Sequence, residues 1–143
     1  MLQTRVLIAD DHPAILEEVR RSLDGDFAVV GAVENGQDAL DSVLSLNPVV
    51  LVTDISMPIL DGLQVASALR IAASRTKIVF LTCHADRAYV EAALSVGAHG
   101  YVTKPRIFTD LVPAIHQALM GHGPSELMKM IAAKPYTSTE PRP

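Results

Sequence analysis

The chain has 143 residues, 49% of them apolar and 20% charged, enough for one packed domain and unlike either a multidomain enzyme or a disordered chain. Sixteen acidic against twelve basic side chains leave a net charge of -4, which repels a phosphate backbone, so direct contact with nucleic acid is not expected. The single cysteine, Cys83, excludes an internal disulfide. The opening Met1-Leu2-Gln3-Thr4-Arg5 lacks the apolar core of a secretory signal, and no apolar run approaches the ~18 residues that cross a bilayer, so a cytoplasmic protein without membrane contact is expected.

Val6-Leu7-Ile8-Ala9 reads as a strand covered on both faces and runs into Asp10-Asp11. Pro13 suits the first turn of a helix marked by Ile15, Leu16, Val19 and Leu23, which Asp24-Gly25 stops. Phe27 to Val33 is a second β-rich run. Asn35 then caps a helix carrying Leu40, Val43 and Leu44, which ends at Asn47-Pro48. Val49 to Val52 is a third strand that leads to Asp54. After Met57-Pro58, Asp61-Gly62-Leu63-Gln64 reads as a capping box opening a helix through Leu69. Lys77 to Leu81, followed by Thr82, is the fourth strand, and an alanine-rich helix covers about Asp86 to Val96 before Gly97. Gly100 to Thr103 is a short fifth strand ending at Lys104-Pro105. Leu111, Val112, Ile115 and Leu119 mark a fifth helix, in which Pro113 is expected to lie in the first turn. Residues 4–121 form the expected domain. Residues 122–143 read as an extension, with a short helix over Ser125 to Ala133 and then a flexible tail rich in proline, serine and threonine.

Strict alternation of five strands and five helices points to an α/β domain with a parallel, doubly wound sheet. In such sheets ligands bind beyond the carboxyl ends of the strands, where the strand order switches. Asp10 and Asp11, Asp54, Thr82 and Lys104 follow strands one, three, four and five, whereas strand two ends without a reactive group. The order 2-1-3-4-5 puts strand two at an edge and gathers the other four ends. Crowded carboxylates must protonate, disperse or share a cation, and an all-oxygen set with room for water favours Mg²⁺. An aspartate can also act as nucleophile towards a phosphoryl group, with the metal, a lysine and a hydroxyl holding the phosphoryl oxygens. Read singly, Asp10 and Asp11 would be helix-capping residues and Asp54 a turn residue. Together with Lys104 they read as a site.

Asp10-Asp11, Thr53-Asp54-Ile55-Ser56-Met57-Pro58 with Asp61-Gly62, Leu81-Thr82, and Gly97-Ala98-His99-Gly100-Tyr101-Val102-Thr103-Lys104-Pro105 together resemble the receiver domain of two-component response regulators. The likeness covers about residues 4 to 121. The segments around Asp11-His12-Pro13 and Gly97 to Tyr101 are most like receivers that precede helix-turn-helix output domains. The resemblance implies a flavodoxin-like fold and a phosphorylation-activated switch, with transcription as the regulated output. It implies that Asp54 accepts a phosphoryl group from a histidine kinase or histidine phosphotransfer protein. Asp11 and Asp54 would bind Mg²⁺ directly, Asp10 through water, and Ser56 through its carbonyl. Lys104 would pair with the phosphoryl group, Thr82 would turn its hydroxyl towards it, and Tyr101 would swing inward. Ser56 and His84 would tune dephosphorylation, and Lys104-Pro105 would be a cis peptide. A homodimer through the surface of the fourth helix, fifth strand and fifth helix is a further expectation.

Cys83, where the family usually has a smaller residue, reads as an inert small hydrophobe. His12, His99, His116 and His122 lack metal-ligand spacing and read as surface or helix-end residues. Two other functions compete with the switch. One is a phosphate-independent pseudo-receiver that serves as an interaction module. The other is an aspartate-nucleophile phosphatase, which usually needs a second carboxylate two residues after the nucleophile, where this chain has Ser56. The sequence leaves open whether the regulator acts alone through protein contacts or belongs to a longer chain with an output domain.

Overall fold

The computed structural model describes residues 3–83 and 86–121. The expected extension over 122–143, and His84, lie outside the described residues. Within them five parallel strands, β1 (Thr4–Ala9), β2 (Phe27–Val33), β3 (Val50–Asp54), β4 (Lys77–Thr82) and β5 (Gly100–Thr103), alternate with helices α1 (Pro13–Leu23), α2 (Gly36–Leu46), α3 (Gly62–Ile71), α4 (Arg87–Ser95) and α5 (Ile107–Leu119). The sheet order is β2-β1-β3-β4-β5, the flavodoxin-like order expected. Parallel neighbours require a covered crossover each time, so helices fill both faces.

The pleat divides the core in two. Val6, Ile8, Val50, Val52, Val79, Leu81 and Val102 face α1 and α5, where they meet Leu16, Val19, Leu111 and Ile115. The alternate residues Leu7, Ala9, Leu51, Ile78 and Phe80 face the other way and pack on Val43, Val65, Leu69 and Ala93. A one-residue slip of any strand would exchange these sets, which pins the register.

Local signals place the helix ends. The Asn35 side chain accepts from the Asp38 amide at the start of α2, and Asn47 ends that helix in the left-handed conformation (φ 49°). Asp61 and Gln64 form the reciprocal capping box at α3. Gly62 has a second role that the box alone does not reveal. A Cβ there would collide with the Asp54 carbonyl, so only glycine lets α3 start directly against the end of β3.

Two expectations fail. Pro113 lies well inside α5, because the helix begins at Ile107 and not near Leu111. The buried series Ile107, Leu111, Ala114, Ile115 and Ala118 has the helical period and outweighs the lost hydrogen bond. Pro113 and Thr109, whose carbonyl loses its donor, both lie on the exposed side, where water can replace that donor. The Lys104–Pro105 peptide is trans, not cis. Lys104–Arg106 form a 3-10 turn leading into α5, and the fixed φ of proline suits that first turn with an ordinary trans bond.

His99 fastens the loop between α4 and β5 to the sheet. Its amide donates to the Ile78 carbonyl at 2.8 Å, and its Nδ1 accepts from the Ile78 amide at 3.1 Å. An accepting Nδ1 requires the neutral ring; burial, aided by the charge of Lys77, lowers the His99 pKa. The unfolded chain therefore takes up this proton more readily than the native state. The stabilisation is complete above the ordinary histidine pKa and is lost as pH falls through the lowered native value. Denaturant unfolding is expected to lose about 1 kcal/mol between pH 7 and pH 5 through this group. His99→Asn, whose acceptor does not titrate, should flatten that part of the profile; a slope equal to that of wild type would contradict the assignment.

Candidate functional site

Sheet register brings the polar ends together. Ala9 pairs with Thr53, so Asp10 stands level with Asp54; Asp54 pairs with Leu81, and Leu81 with Val102. Lys104 lies two residues beyond that level, a distance its long side chain spans on the way back. Asp10, Asp54 and Lys104 share the pleat parity of Ile8, Val52 and Val102, and for that reason they converge. Thr82 and Tyr101 have the opposite parity. They are diagonal neighbours across β4 and β5, because Phe80 pairs with Tyr101 and Thr82 with Thr103.

The centre is a dense set of charges. Asp10 and Asp54 are 1% and 4% exposed. Lys104 Nζ lies 2.8 Å from Asp10 Oδ2 and 3.1 Å from Asp54 Oδ2. The Ser56 amide donates to Asp54 Oδ1 at 3.3 Å, and the Asp10 amide donates to the Val33 carbonyl, which ties the turn after β1 to β2. Burial first, and then the charge of Asp10, raise the Asp54 pKa, with Lys104 and the Ser56 amide opposing. Burial alone would lower Lys104, but its pairing with Asp10 and Asp54 outweighs this and leaves it raised. Lys104 is thus a firmly charged ammonium between two carboxylates.

Asp10, Asp11, His12 and Asp54 each place a ligand atom within 4.8 Å of the others. Asp10 Oδ2 and Asp11 Oδ1 are buried oxygens that, beyond their ion contacts, accept no hydrogen bond, and the single ammonium of Lys104 leaves net negative charge in the pocket. Oxygen donors of this kind, close together and short of hydrogen bonds, fit a hard dication. The acidic pocket anticipated from the sequence therefore assembles. His12 is the addition that sequence reasoning missed. It precedes α1, and its Nδ1 lies 3.1 Å from both Asp10 Oδ1 and Asp11 Oδ1. A search for spacing between histidines could not find it, because its partners are the adjacent carboxylates.

The remaining anticipated residues among those described lie in or just after β3, β4 and β5. Thr82, 1% exposed, ends β4 at the rim, and Ser56 is exposed on the loop after β3. Tyr101 is half-buried and packs with the core on the Phe80 side; burial, then Asp86 and Tyr89, raise its pKa and keep the phenol neutral. Cys83 is exposed rather than packed away. Pro105 is exposed in the 3-10 turn. The loop after β3 also carries an outlier, Ile59, a β-branched residue at φ 75° and 72% exposed. The Pro58 carbonyl beside it accepts the amides of both Gly36 and Leu60, which holds the loop against α2.

The raised Asp54 pKa has a defined effect on stability. The native carboxyl holds its proton more strongly than the unfolded one, so ionisation weakens the fold as pH rises past the ordinary carboxylate value, with the full cost reached above the raised native value. In the absence of metal, Asp54→Asn is expected to melt about 3 to 5 °C above wild type at pH 7, for roughly 1 kcal/mol. The gap should close towards pH 4; an equal or lower midpoint for the variant at pH 7 would refute the account.

Residues 6–116 match the response regulator receiver domain family. The chain is 38% identical over 119 residues to the uncharacterized transcriptional regulatory protein YvfU of Bacillus subtilis, covering 82% of this chain and 60% of that protein. It is 34% identical over 118 residues to the nitrate/nitrite response regulator protein NarL of Escherichia coli K12, covering 81% and 55%. The chain thus spans less than two thirds of the length of these relatives. Among solved structures it superposes on the signal receiver domain of the response regulator NarL from Mycobacterium tuberculosis with a TM-score of 0.81 at 35% identity, covering 85% of this chain and 100% of that one. The isolated receiver domain of RcsB from Salmonella enterica, in the presence of the phosphomimetic BeF3-, gives a TM-score of 0.76 at 31% identity, covering 85% and 91%.

Proposed function

The chain belongs to the response regulator receiver domain family, and on that premise we propose that it is a phosphorylation-driven switch with Asp54 as the acceptor. Receiver domains are signalling domains and not classical enzymes, so the chemistry of interest is the domain's own phosphoryl transfer. The observation that carries the reading is the buried Asp54 carboxylate, held by Lys104 at 3.1 Å beside Asp10 and Asp11.

The donor is a histidine kinase or a histidine phosphotransfer protein. An Asp54 carboxylate oxygen attacks the phosphorus, the P–N bond to the donor imidazole breaks, and that ring leaves with the bonding electron pair and takes a proton from solvent. Asp11, Asp54 and the Ser56 carbonyl would hold Mg²⁺ directly and Asp10 through water; the bound ion screens the charge of the incoming group. Lys104 then exchanges a carboxylate oxygen for a phosphoryl oxygen, and Thr82 donates its hydroxyl to another.

The magnitude of that exchange limits the switch. Hydrogen bonds to a charged phosphoryl group are worth about 1.5 to 3 kcal/mol each, so Thr82 and Lys104 offer roughly 3 to 6. Lys104 gives up existing ion pairs to make its bond, which places the net gain near 3 kcal/mol. A gain of that size turns a ratio of about 1:10 into about 10:1, so the resting bias against the active shape is modest. Tyr101, diagonal to Thr82 on the same face, moves inward as the threonine turns. The surface of α4, β5 and α5 carries the change to an output, transcription in a longer regulator, or to a second copy in a homodimer. Phe108, 61% exposed at the start of α5, lies on that surface. No helix among the described residues is long and apolar enough to cross a membrane, in keeping with a cytoplasmic site of action. The net charge of -4 leaves any contact with DNA to a separate output domain.

Incubation with a small phosphodonor and Mg²⁺, followed by intact mass measurement, should add one phosphoryl group to wild type and none to Asp54→Ala. An unmodified wild type would favour the pseudo-receiver reading. Ser56 and His84 are assigned to the approach of hydrolytic water, and His84→Ala is expected to change the decay of phosphorylated protein more than its formation. Equal decay rates for the variant and wild type would remove His84 from that role.

A further inference from the structure

An imidazole stands among the carboxylates of the acidic pocket. His12 Nδ1 is 3.1 Å from Asp10 Oδ1 and 3.1 Å from Asp11 Oδ1, and one ligand atom from each of Asp10, Asp11, His12 and Asp54 fits within 4.8 Å. Neighbouring ligands on an octahedral ion with bonds of about 2.1 Å are roughly 3.0 Å apart, so the 3.1 Å between His12 Nδ1 and Asp11 Oδ1 is the separation of adjacent ligands on one ion, with Asp10 reached through water. Asp10, 1% exposed, and the buried Asp11 Oδ1 fix the oxygen side of that set, and Asp10 Oδ2 and Asp11 Oδ1 accept no hydrogen bond beyond their ion contacts. The ring is anchored by its own backbone, since the His12 amide donates to Asp10 Oδ1 at 2.9 Å while the side chain is 66% exposed and open to solvent. No side-chain capping bond engages the ring at the start of α1.

We propose that His12 Nδ1 is a metal ligand that makes this pocket a mixed nitrogen and oxygen site for first-row transition dications such as Mn²⁺, Ni²⁺ and Zn²⁺, in competition with Mg²⁺. The inference rests on the reading that the pocket holds a dication and specifies which ions it prefers. Imidazole binds these ions well and Mg²⁺ poorly, whereas carboxylates serve both, so His12 raises affinity selectively. The neutral ring then carries its proton on Nε2 and presents the Nδ1 lone pair to the ion in place of the present contact with Asp10. Because Asp11 and Asp54 are shared, a transition ion held this way excludes Mg²⁺, and the supply of such ions would set which dication accompanies phosphoryl uptake.

The 143-residue wild-type chain, His12→Ala and His12→Asn, the last retaining a good residue at the start of α1, would be compared by two measurements. Pulsed electron paramagnetic resonance of Mn²⁺-loaded protein should detect coupling to a ligating ¹⁴N in wild type and lose it in both variants while Mn²⁺ still binds. Titration calorimetry should show Ni²⁺ affinity falling by about tenfold or more in His12→Ala, with Mg²⁺ affinity within about twofold of wild type. Mg²⁺ uptake by wild type without nitrogen coupling to Mn²⁺, coupling that survives in both variants, or unchanged Ni²⁺ affinity would overturn the His12 assignment alone. Failure of wild type to take up either Mg²⁺ or Mn²⁺ would overturn the reading of the pocket as a dication site as well.

Discussion

The structure depends on an electrostatic conflict at one end of a parallel sheet. Asp10, Asp11 and Asp54 are gathered where two of them are almost wholly removed from water, and Lys104 is the ammonium that enters. Two unit charges at 4.8 Å repel by roughly 3 to 4 kcal/mol at an effective dielectric near 20, more than most surface contacts contribute. A fold that keeps such an arrangement forgoes stability at this point, and the Asp54 pKa, raised by burial first and by the charge of Asp10 second, expresses that cost. Anything that brings positive charge to the pocket, or lets Lys104 redistribute among anionic oxygens, is therefore favoured there. On the proposed function, uptake of a dication would draw on this source directly, whereas a phosphoryl group adds anionic charge and would depend on that cation and on Lys104 to be held there.

The scaffold is closely packed where the conflict has to be contained. β1 and β3, which carry the aspartates, are central strands buried on both faces, and Gly62 brings the start of α3 directly against the Asp54 carbonyl. The Pro58 carbonyl ties the following loop to Gly36, and a Cβ at Gly36 would collide with the Leu60 carbonyl. On the other side the sheet narrows to β5, a short edge strand followed by a 3-10 turn. Lys104 stands at that junction. On the adjoining edge strand the register fixes Tyr101 opposite Phe80 and diagonal to Thr82.

Much of this was legible in the sequence because the signals are short-range. Apolar runs leading to Asp10, Asp54, Thr82 and Lys104 identify strands and their polar ends, and Asn35 and the Asp61–Gln64 pair mark helix starts by hydrogen bonds that span three residues. What the sequence obscured depends on tertiary context. Pro113 looks like a helix boundary by its local chemistry, yet Ile107 extends the buried stripe one turn upstream and the proline falls on the solvent side. The trans bond before Pro105 follows from the turn that links β5 to α5, which no residue type announces. The left-handed Ile59 is held by a loop contact with α2 that its own side chain opposes.

His12 illustrates the same limit from the chemical side. On the sequence it is a polar residue before a proline, and its default reading is a helix-end side chain. The backbone between Asp10 and Pro13 turns so that the His12 amide points back at Asp10 Oδ1, and this turn delivers the ring to the carboxylates as well. The same hydrogen bond that orients Asp10 towards the pocket therefore determines where the imidazole lies. A neighbour three or four residues further along α1 would have been carried away from the pocket by the helix. Adjacency, which hides the residue from a search for ligand spacing, is the physical reason it reaches the site.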